Sequence, residues 1–246
     1  MLNIFNKLNL RNNGCNGYKC LIKKICESTD NIQQFCFDSN EEILENFINN
    51  IYLISINLPS RKNRLTASAL EKLDHCLKNF DTKNNLSVAV LHGCGGNFCT
   101  GIESSQEANE NGLQLIKTLN NLKKPIIGSL HGNIKEFGFQ LAVMCDLTAI
   151  DETAFIGIGS NRNRHVMPDI IYRKLCSSIG LTRAMEITLP NFTLNAKNAC
   201  QIGLVTKISE CGTAFGQGIV WAQSIALAPM ELMIKEKANL LHHLKS

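Results

Sequence analysis

Apolar positions along this chain switch repeatedly between continuous runs and three- or four-residue spacing, and the switches mark strands and helices in alternation. From Phe35 to Leu58 the pattern predicts a short strand, a polar turn and a second strand, in which Ile51 and Leu53 alternate inward before the run becomes fully apolar. Pro59 ends it. Leu70, Leu73 and Leu77 predict a helix over Thr66 to Phe80, with Thr66 as its N-cap. Leu86 to Leu91 is a continuous apolar run, the form a parallel strand takes when both of its faces are covered. The segment from Ser105 to Leu122 opens on Gln, Glu, Asn and Gly, which predicts a mobile loop, and only then shows helical spacing at Leu115, Ile116, Leu119 and Leu122.

The centre of the chain is Pro125 to Asp146, PIIGSLHGNIKEFGFQLAVMCD. It reads as a buried strand (Ile126, Ile127, Ser129, Leu130), a turn opened by His131-Gly132, and a helix with an apolar stripe at Phe139, Leu141, Ala142 and Cys145. A strand that breaks into a helix leaves the first backbone N–H groups without intrahelical acceptors, and the helix dipole favours negative charge there. Leu147 to Ile150 and Ala154 to Ile158 read as two more short strands. A helix from Thr182 to Leu189 follows, then a turn at Pro190-Asn191 and a short helix within LNAKNACQIGLV closed by Gly203. Phe215 to Ser246 reads as one or two helices interrupted near Pro229.

Repeated strand and helix with crossover connections define an α/β chain. At 246 residues and 44% apolar composition it can bury the core of one such domain. The expected organisation is a basic arm over residues 1–33, an α/β core over 34–210 and a shortened helical segment over 211–246. The arm carries Lys7, Arg11, Lys19, Lys23 and Lys24 before the first acid, Glu27, but it is Asn-rich and Arg-poor, unlike a transit peptide, and lacks the apolar run of a secretory signal. A net charge of +4 with no Lys/Arg block longer than three residues gives no ground for a nucleic-acid partner. No apolar run approaches the roughly 18 residues of a membrane span. The 11 cysteines are odd in number and scattered, none with zinc-ligand spacing. With Cys76, Cys145 and Cys176 on apolar faces, they read as free thiols in a reducing compartment, the cytoplasm first and an organelle matrix second.

The central strand–turn–helix with its closing Met-Cys-Asp resembles the central motif of the crotonase (enoyl-CoA hydratase/isomerase) superfamily, and four other segments fall in that family's order: NLPSRKNRLTASALEKLDHCL, LHGCGGNFCTGIE, DETAFIGI and IGLTRAMEITLPNFTLNAKNACQIGLVTKI. The resemblance covers roughly Ile51 to Ile208. It implies a crotonase-like spiral of ββα units with C-terminal helices, and a homo-oligomer, trimer or dimer of trimers. The substrate it implies is a coenzyme A or phosphopantetheine thioester, presented as acyl-CoA or on an acyl carrier protein, with no permanently bound cofactor and no metal. Family members usually continue into further helices, so this chain looks truncated at its C-terminus.

The same resemblance assigns two oxyanion donors to the backbone amides of Ile102, after Gly101 in the glycine-rich loop beside Cys99, and of Phe137. Glu103 stands where an Asp is usual, and Glu136-Phe137-Gly138 replaces three glycines. One hydratase glutamate is replaced by Gln140; the other falls near Gly159, and no carboxylate occurs between Glu152 and Asp169. A neutral amide exchanges no proton at physiological pH, so two-glutamate hydration is not expected. Glu136 and His131 are the substitutes nearest in sequence, each of which also reads as a surface acid or a packed turn histidine. Arg61, Lys62 and Arg64 stand where family members contact the adenosine phosphates, and Arg162, Arg164 and His165 are candidates for the pocket rim. Cys99 reads as structural rather than nucleophilic. Two functions remain open: an acyl-thioester enzyme working through the backbone donors, for example a decarboxylase of the polyketide-branching type, or an inactive thioester binder or assembly subunit.

Overall fold

The chain divides into two compact units, Met1–Ser39 and Asn40–Ser246. The computed structural model describes residues 40–159 and 167–242, all within the second. The basic arm, the Phe35 end of the first strand, and Arg162, Arg164 and His165 lie outside the described residues.

A six-stranded sheet forms the frame, ordered β1 (Ile43–Ile48), β2 (Ile51–Ile56), β4 (Val88–Gly93), β6 (Ile126–Leu130), β8 (Leu147–Asp151) and β11 (Lys207–Ser209). β1 pairs antiparallel with β2 across the turn at Asn49-Asn50, where Asn49 takes a positive φ; every later pairing is parallel. All six residues of β2 and all six of β4 are buried. The inward alternation expected at Ile51 and Leu53 is therefore absent, because a parallel strand covered on both faces has no solvent side. The Leu86–Leu91 run starts its strand two residues late: Leu86 N–H closes a turn on Lys83 O, and the ladder begins at Val88.

Helix α1 (Ala67–Thr82) follows a short strand β3 (Arg64–Leu65), and Thr66 caps it as expected, its hydroxyl accepting from Ala69 N–H. Helix α2 occupies Gln106–Asn121 in full. Its polar first turns are not a loop: Ser105 caps them by accepting from Ala108 N–H, and Ala108 and Gly112 face inward while the Glu and Asn side chains meet solvent. The central motif also differs from expectation by one strand. Between His131-Gly132 and helix α3 (Phe137–Met144), Asn133–Lys135 forms β7, which pairs in parallel with β9 (Phe155–Gly157); β10 (Thr193–Asn195) closes this second, three-stranded sheet. Helix α4 (Asp169–Ile179), unseen in the sequence, precedes α5 (Leu181–Thr188), α6 (Ala196–Gln201), α7 (Ala214–Ala226) and α8 (Met230–His242). Gly203, at φ +84°, ends the α6 segment as expected, and Pro229 separates α7 from α8.

The last two helices are tied to the sheet by charge. Asp151, at the end of β8, accepts from Gly212 N–H (3.1 Å) and Ala214 N–H (2.9 Å) and so caps α7. Lys237 of α8 pairs with Asp146 at 2.6 Å and donates to Lys124 O at 2.9 Å. Among the described residues, Cys76, Cys99, Cys145, Cys176, Cys200 and Cys211 are free thiols. No helix among them is long and apolar enough to cross a membrane.

Under α7 lies a buried polar pair. His92 Nδ1–H donates to Gly93 O (3.2 Å), leaving Nε2 to accept the Ser55 hydroxyl (2.7 Å), and Phe215 of α7 packs its ring 4.0 Å from the imidazole. Burial, with His131 as a lesser cause, lowers the His92 pKa to about 3. Because the folded value lies below the unfolded one, His92 costs no stability above about pH 6.5 and an increasing amount below it, down to about pH 3. Urea titrations at pH 7 and pH 5 should show a loss of about 2 kcal/mol from this group alone, absent in a His92→Gln chain; equal losses in the two chains would contradict it.

Candidate functional site

The carboxyl ends of β2, β4 and β6 lead into three loops on the same edge of the sheet, the edge at which parallel α/β sheets place their ligands. The first loop is a one-turn 3-10 helix, Pro59–Arg61, followed by Lys62 and Asn63, both at φ +55°. Asn63 is buried and fastens this loop to the second: its Oδ1 accepts from Leu58 N–H, and its amide donates to Cys94 O (2.9 Å) and Asn97 O (2.5 Å). The glycine-rich loop then runs into β5 (Gly101–Ile102), which pairs with β3.

Glycine-rich loop and helix α3 are in direct contact. Lys135 N–H donates to Cys99 O at 3.1 Å, and a Cβ on Gly138 would sit 2.0 Å from that same oxygen. Only glycine fits at 138. Directly after β5, Glu103 N–H donates to Leu65 O (2.9 Å); alternate amides of an extended strand point to opposite edges, so the Ile102 amide turns away from β3. On the facing side, Phe137 and Gly138 open α3 and have no carbonyl one turn back to donate to.

Between them lies a cavity of about 630 Å³. Its apolar wall comes from Ile102, Leu113, Phe137, Ile158 and Met167. Phe137 is 5% exposed, and its ring presses on α2, where a methyl on Gly112 would come within 3.1 Å of Cε2. The aromatic side chain thus lies along the wall beside α2.

The polar lining includes Arg64, Glu103, Glu110, Glu136 and Gln140. The carboxylates differ in what they already do. Glu103 Oε1 accepts from Ala67 N–H at 3.0 Å, at the N-terminus of α1, and Glu110 is exposed on α2 with Gln106 Nε2 at 2.9 Å. Glu136 is half-buried, and its Oε2 accepts from Arg64 Nη2 at 2.9 Å. Its backbone, at φ +51° and ψ −117°, lies where a non-glycine residue is strained by roughly 1–3 kcal/mol, held by its N–H to Ile158 O (3.1 Å).

The remaining sequence candidates separate from this cavity. Arg64 does not join Arg61 and Lys62 in an exposed basic patch but turns in to Glu136; Arg61 and Lys62 stay exposed on the first loop, Arg61 3.9 Å from Glu103. His131 is outside the cavity, its Nε2–H donating to Gly95 O at 2.9 Å, and burial lowers its pKa. Cys99 is fully buried behind the loop, its thiol pushed up to about 12 by burial and directed at Gly101 O, which makes it part of the packing rather than a ligand contact. Gly101 lies against the Glu136 carboxylate, and Gln140 lines the cavity without an acidic proton to exchange. The role of Arg64 was missed because sequence adjacency grouped it with Arg61 and Lys62, while the two left-handed residues between them reverse its direction.

A cavity walled by a helix opening and a glycine loop, at the carboxyl edge of a parallel sheet, defines a small-molecule site in an α/β chain. This chain belongs to the enoyl-CoA hydratase/isomerase family, whose model matches residues 46–245. It is 27% identical over 210 residues to the mitochondrial enoyl-CoA hydratase of Pongo abelii, spanning 78% of this chain and 69% of that one. It is 25% identical over 202 residues to the peroxisomal Delta(3,5)-Delta(2,4)-dienoyl-CoA isomerase of Arabidopsis thaliana, spanning 73% and 72%. The crystal structure of enoyl-CoA hydratase from Mycobacterium tuberculosis H37Rv superposes with a TM-score of 0.74 at 28% identity, over 81% of each chain.

The Gly138–Cys99 contact can be tested against an open position in the same loop. Gly138→Ala should destabilise the chain by more than about 2 kcal/mol, whereas Gly96→Ala, with nothing within 4 Å of its Cβ, should stay within about 0.5 kcal/mol. Urea denaturation of the two variants reads the difference, and equal stabilities would contradict the close approach.

Proposed function

We infer that this chain binds an acyl-CoA thioester in the 630 Å³ cavity and polarises its carbonyl with the backbone amides of Ile102 and Phe137. The observation that carries the reading is the pair of amides, on facing walls, for which the described residues offer no ladder or helix partner, one turned out of β5 by strand alternation and one at the opening of α3. Two fixed N–H groups aimed at a carbonyl oxygen stabilise the negative charge that develops there, each by about 3 kcal/mol in the transition state. The relatives' names, which include an enoyl-CoA hydratase and a dienoyl-CoA isomerase, support acyl-CoA as the substrate class. Arg61 and Lys62, exposed on the first loop, are the proposed contacts for the adenosine phosphates.

The charge of the cavity bears on the choice of acyl group. Among the described residues that line it, three carboxylates, Glu103, Glu110 and Glu136, face one guanidinium, Arg64, which is already paired. An acyl chain bearing its own carboxylate is repelled from such a lining, which weighs against decarboxylation and in favour of an uncharged acyl group. Gln140 and Gly159, at the two places where hydratase glutamates would stand, weigh against two-glutamate hydration. Homo-oligomerisation and an acyl carrier protein as an alternative donor remain part of the proposal through the family resemblance alone.

Calorimetry with butyryl-CoA and with butyryl-pantetheine tests the binding mode. The full chain should bind butyryl-CoA, and Arg61→Glu with Lys62→Glu should weaken it about tenfold or more while leaving butyryl-pantetheine unchanged. Absence of butyryl-CoA binding, or equal weakening of both ligands, would contradict the assignment.

A further inference from the structure

Resting on that thioester reading, we propose that Glu136 is the catalytic acid/base of this chain, a carboxylate delivered from the oxyanion loop into space that Gly101 and Gly159 leave open, and that of the two reactions in the family's name it serves the isomerisation, the shift of a double bond in a 3-enoyl thioester.

The seat is built around this one side chain. A Cβ on Gly101 would lie 2.3 Å from Glu136 Oε2, and a Cβ on Gly159 would lie 2.9 Å from Glu136 Cγ; both glycines take positive φ, +140° and +89°. Any larger residue at either position would drive the carboxylate out. Arg64 holds Oε2 at 2.9 Å. Oε1 has no hydrogen-bond partner among the described residues and lies on the Gly159 side, 3.9 Å from where a Cβ at 159 would be. Among the described residues, one oxygen is therefore anchored and the other is left for a ligand.

Its place relative to the donors follows from the chain itself. Glu136 immediately precedes Phe137, and its carboxylate touches Gly101, which immediately precedes Ile102. A carbonyl oxygen held by those two amides would place its α-carbon in the cavity that the carboxylate lines. Glu103 is occupied at the start of α1, Glu110 is exposed on α2, and Gln140 cannot carry the proton. Glu136 alone remains beside both amides.

With one carboxylate beside the amides and, among the described residues, no second one free there, the site suits a reaction that returns the proton it removes. Oε1 takes a proton from C2 of the 3-enoyl thioester. The C–H electron pair enters the conjugated system and places negative charge on the thioester oxygen, against the two amides. The protonated carboxyl then gives the same proton to C4, and the double bond moves from C3–C4 to C2–C3. Neither water nor an oxidant or reductant is consumed.

The test uses 3-hexenoyl-CoA, calorimetry for binding, ultraviolet absorbance for the conjugated 2-enoyl product, and NMR in D2O for deuterium entering C2 or C4. The unaltered chain should bind and convert the ligand. Glu136→Gln, close in shape but without basicity, should keep its affinity within about threefold and lose at least about 100-fold in rate. If Glu136→Gln fails to fold, Glu136→Asp answers instead: a carboxylate drawn back by one methylene should convert at least about tenfold more slowly at unchanged affinity, and an undiminished rate overturns the proposal. An undiminished rate in Glu136→Gln overturns it equally. Binding without conversion by the unaltered chain overturns the role of Glu136 and leaves the thioester reading standing; no binding at all overturns both.

Discussion

The contact on which the site depends is between a backbone oxygen and a helix that has no side chain to spare at that point. Cys99 O accepts from Lys135 N–H and lies so close to Gly138 that a single added carbon would overlap it. This contact presses the end of the glycine loop against the opening of α3. It is also why Cys99 is buried and inert: its thiol is packed behind the loop whose carbonyl makes the junction. Neither β5 nor α3 alone can present two amides to one atom; the junction between them can.

The carboxylate at Glu136 follows from the same geometry. Its backbone takes a conformation that suits glycine, yet a charged side chain is retained and held from three sides by Ile158 O, Arg64 and the open space over Gly101 and Gly159. Strain of this kind persists when the surroundings over-determine it. Glu136, which the sequence offered as a substitute acid, lines the cavity, and Glu103 and Glu110 line it as well.

Much of the fold was legible because its signals are local. Apolar runs in parallel strands, Thr66 before α1, Gly203 after α6 and Pro229 between α7 and α8 each act within a few residues. The motif order was legible as well, and with it the family. Three features were not. β7 is three residues long and exists through pairing with β9, a contact between segments about twenty residues apart. The first turns of α2 are polar because only a narrow side of that helix faces inward, so their composition looks like a loop. The directions of Arg64 and Glu136 depend on left-handed backbone at Lys62, Asn63 and Glu136 itself, none of which is a glycine that would announce it.

Two main-chain N–H groups are proposed to act together on a single thioester oxygen, and infrared difference spectroscopy of an acyl-CoA carrying a 13C-labelled thioester carbonyl measures that directly. Donation from both amides weakens the C=O bond, so the carbonyl band of the bound ligand should move to lower frequency than in water and narrow as its surroundings become uniform. A ligand that binds with its carbonyl band at the aqueous position and width would contradict the account.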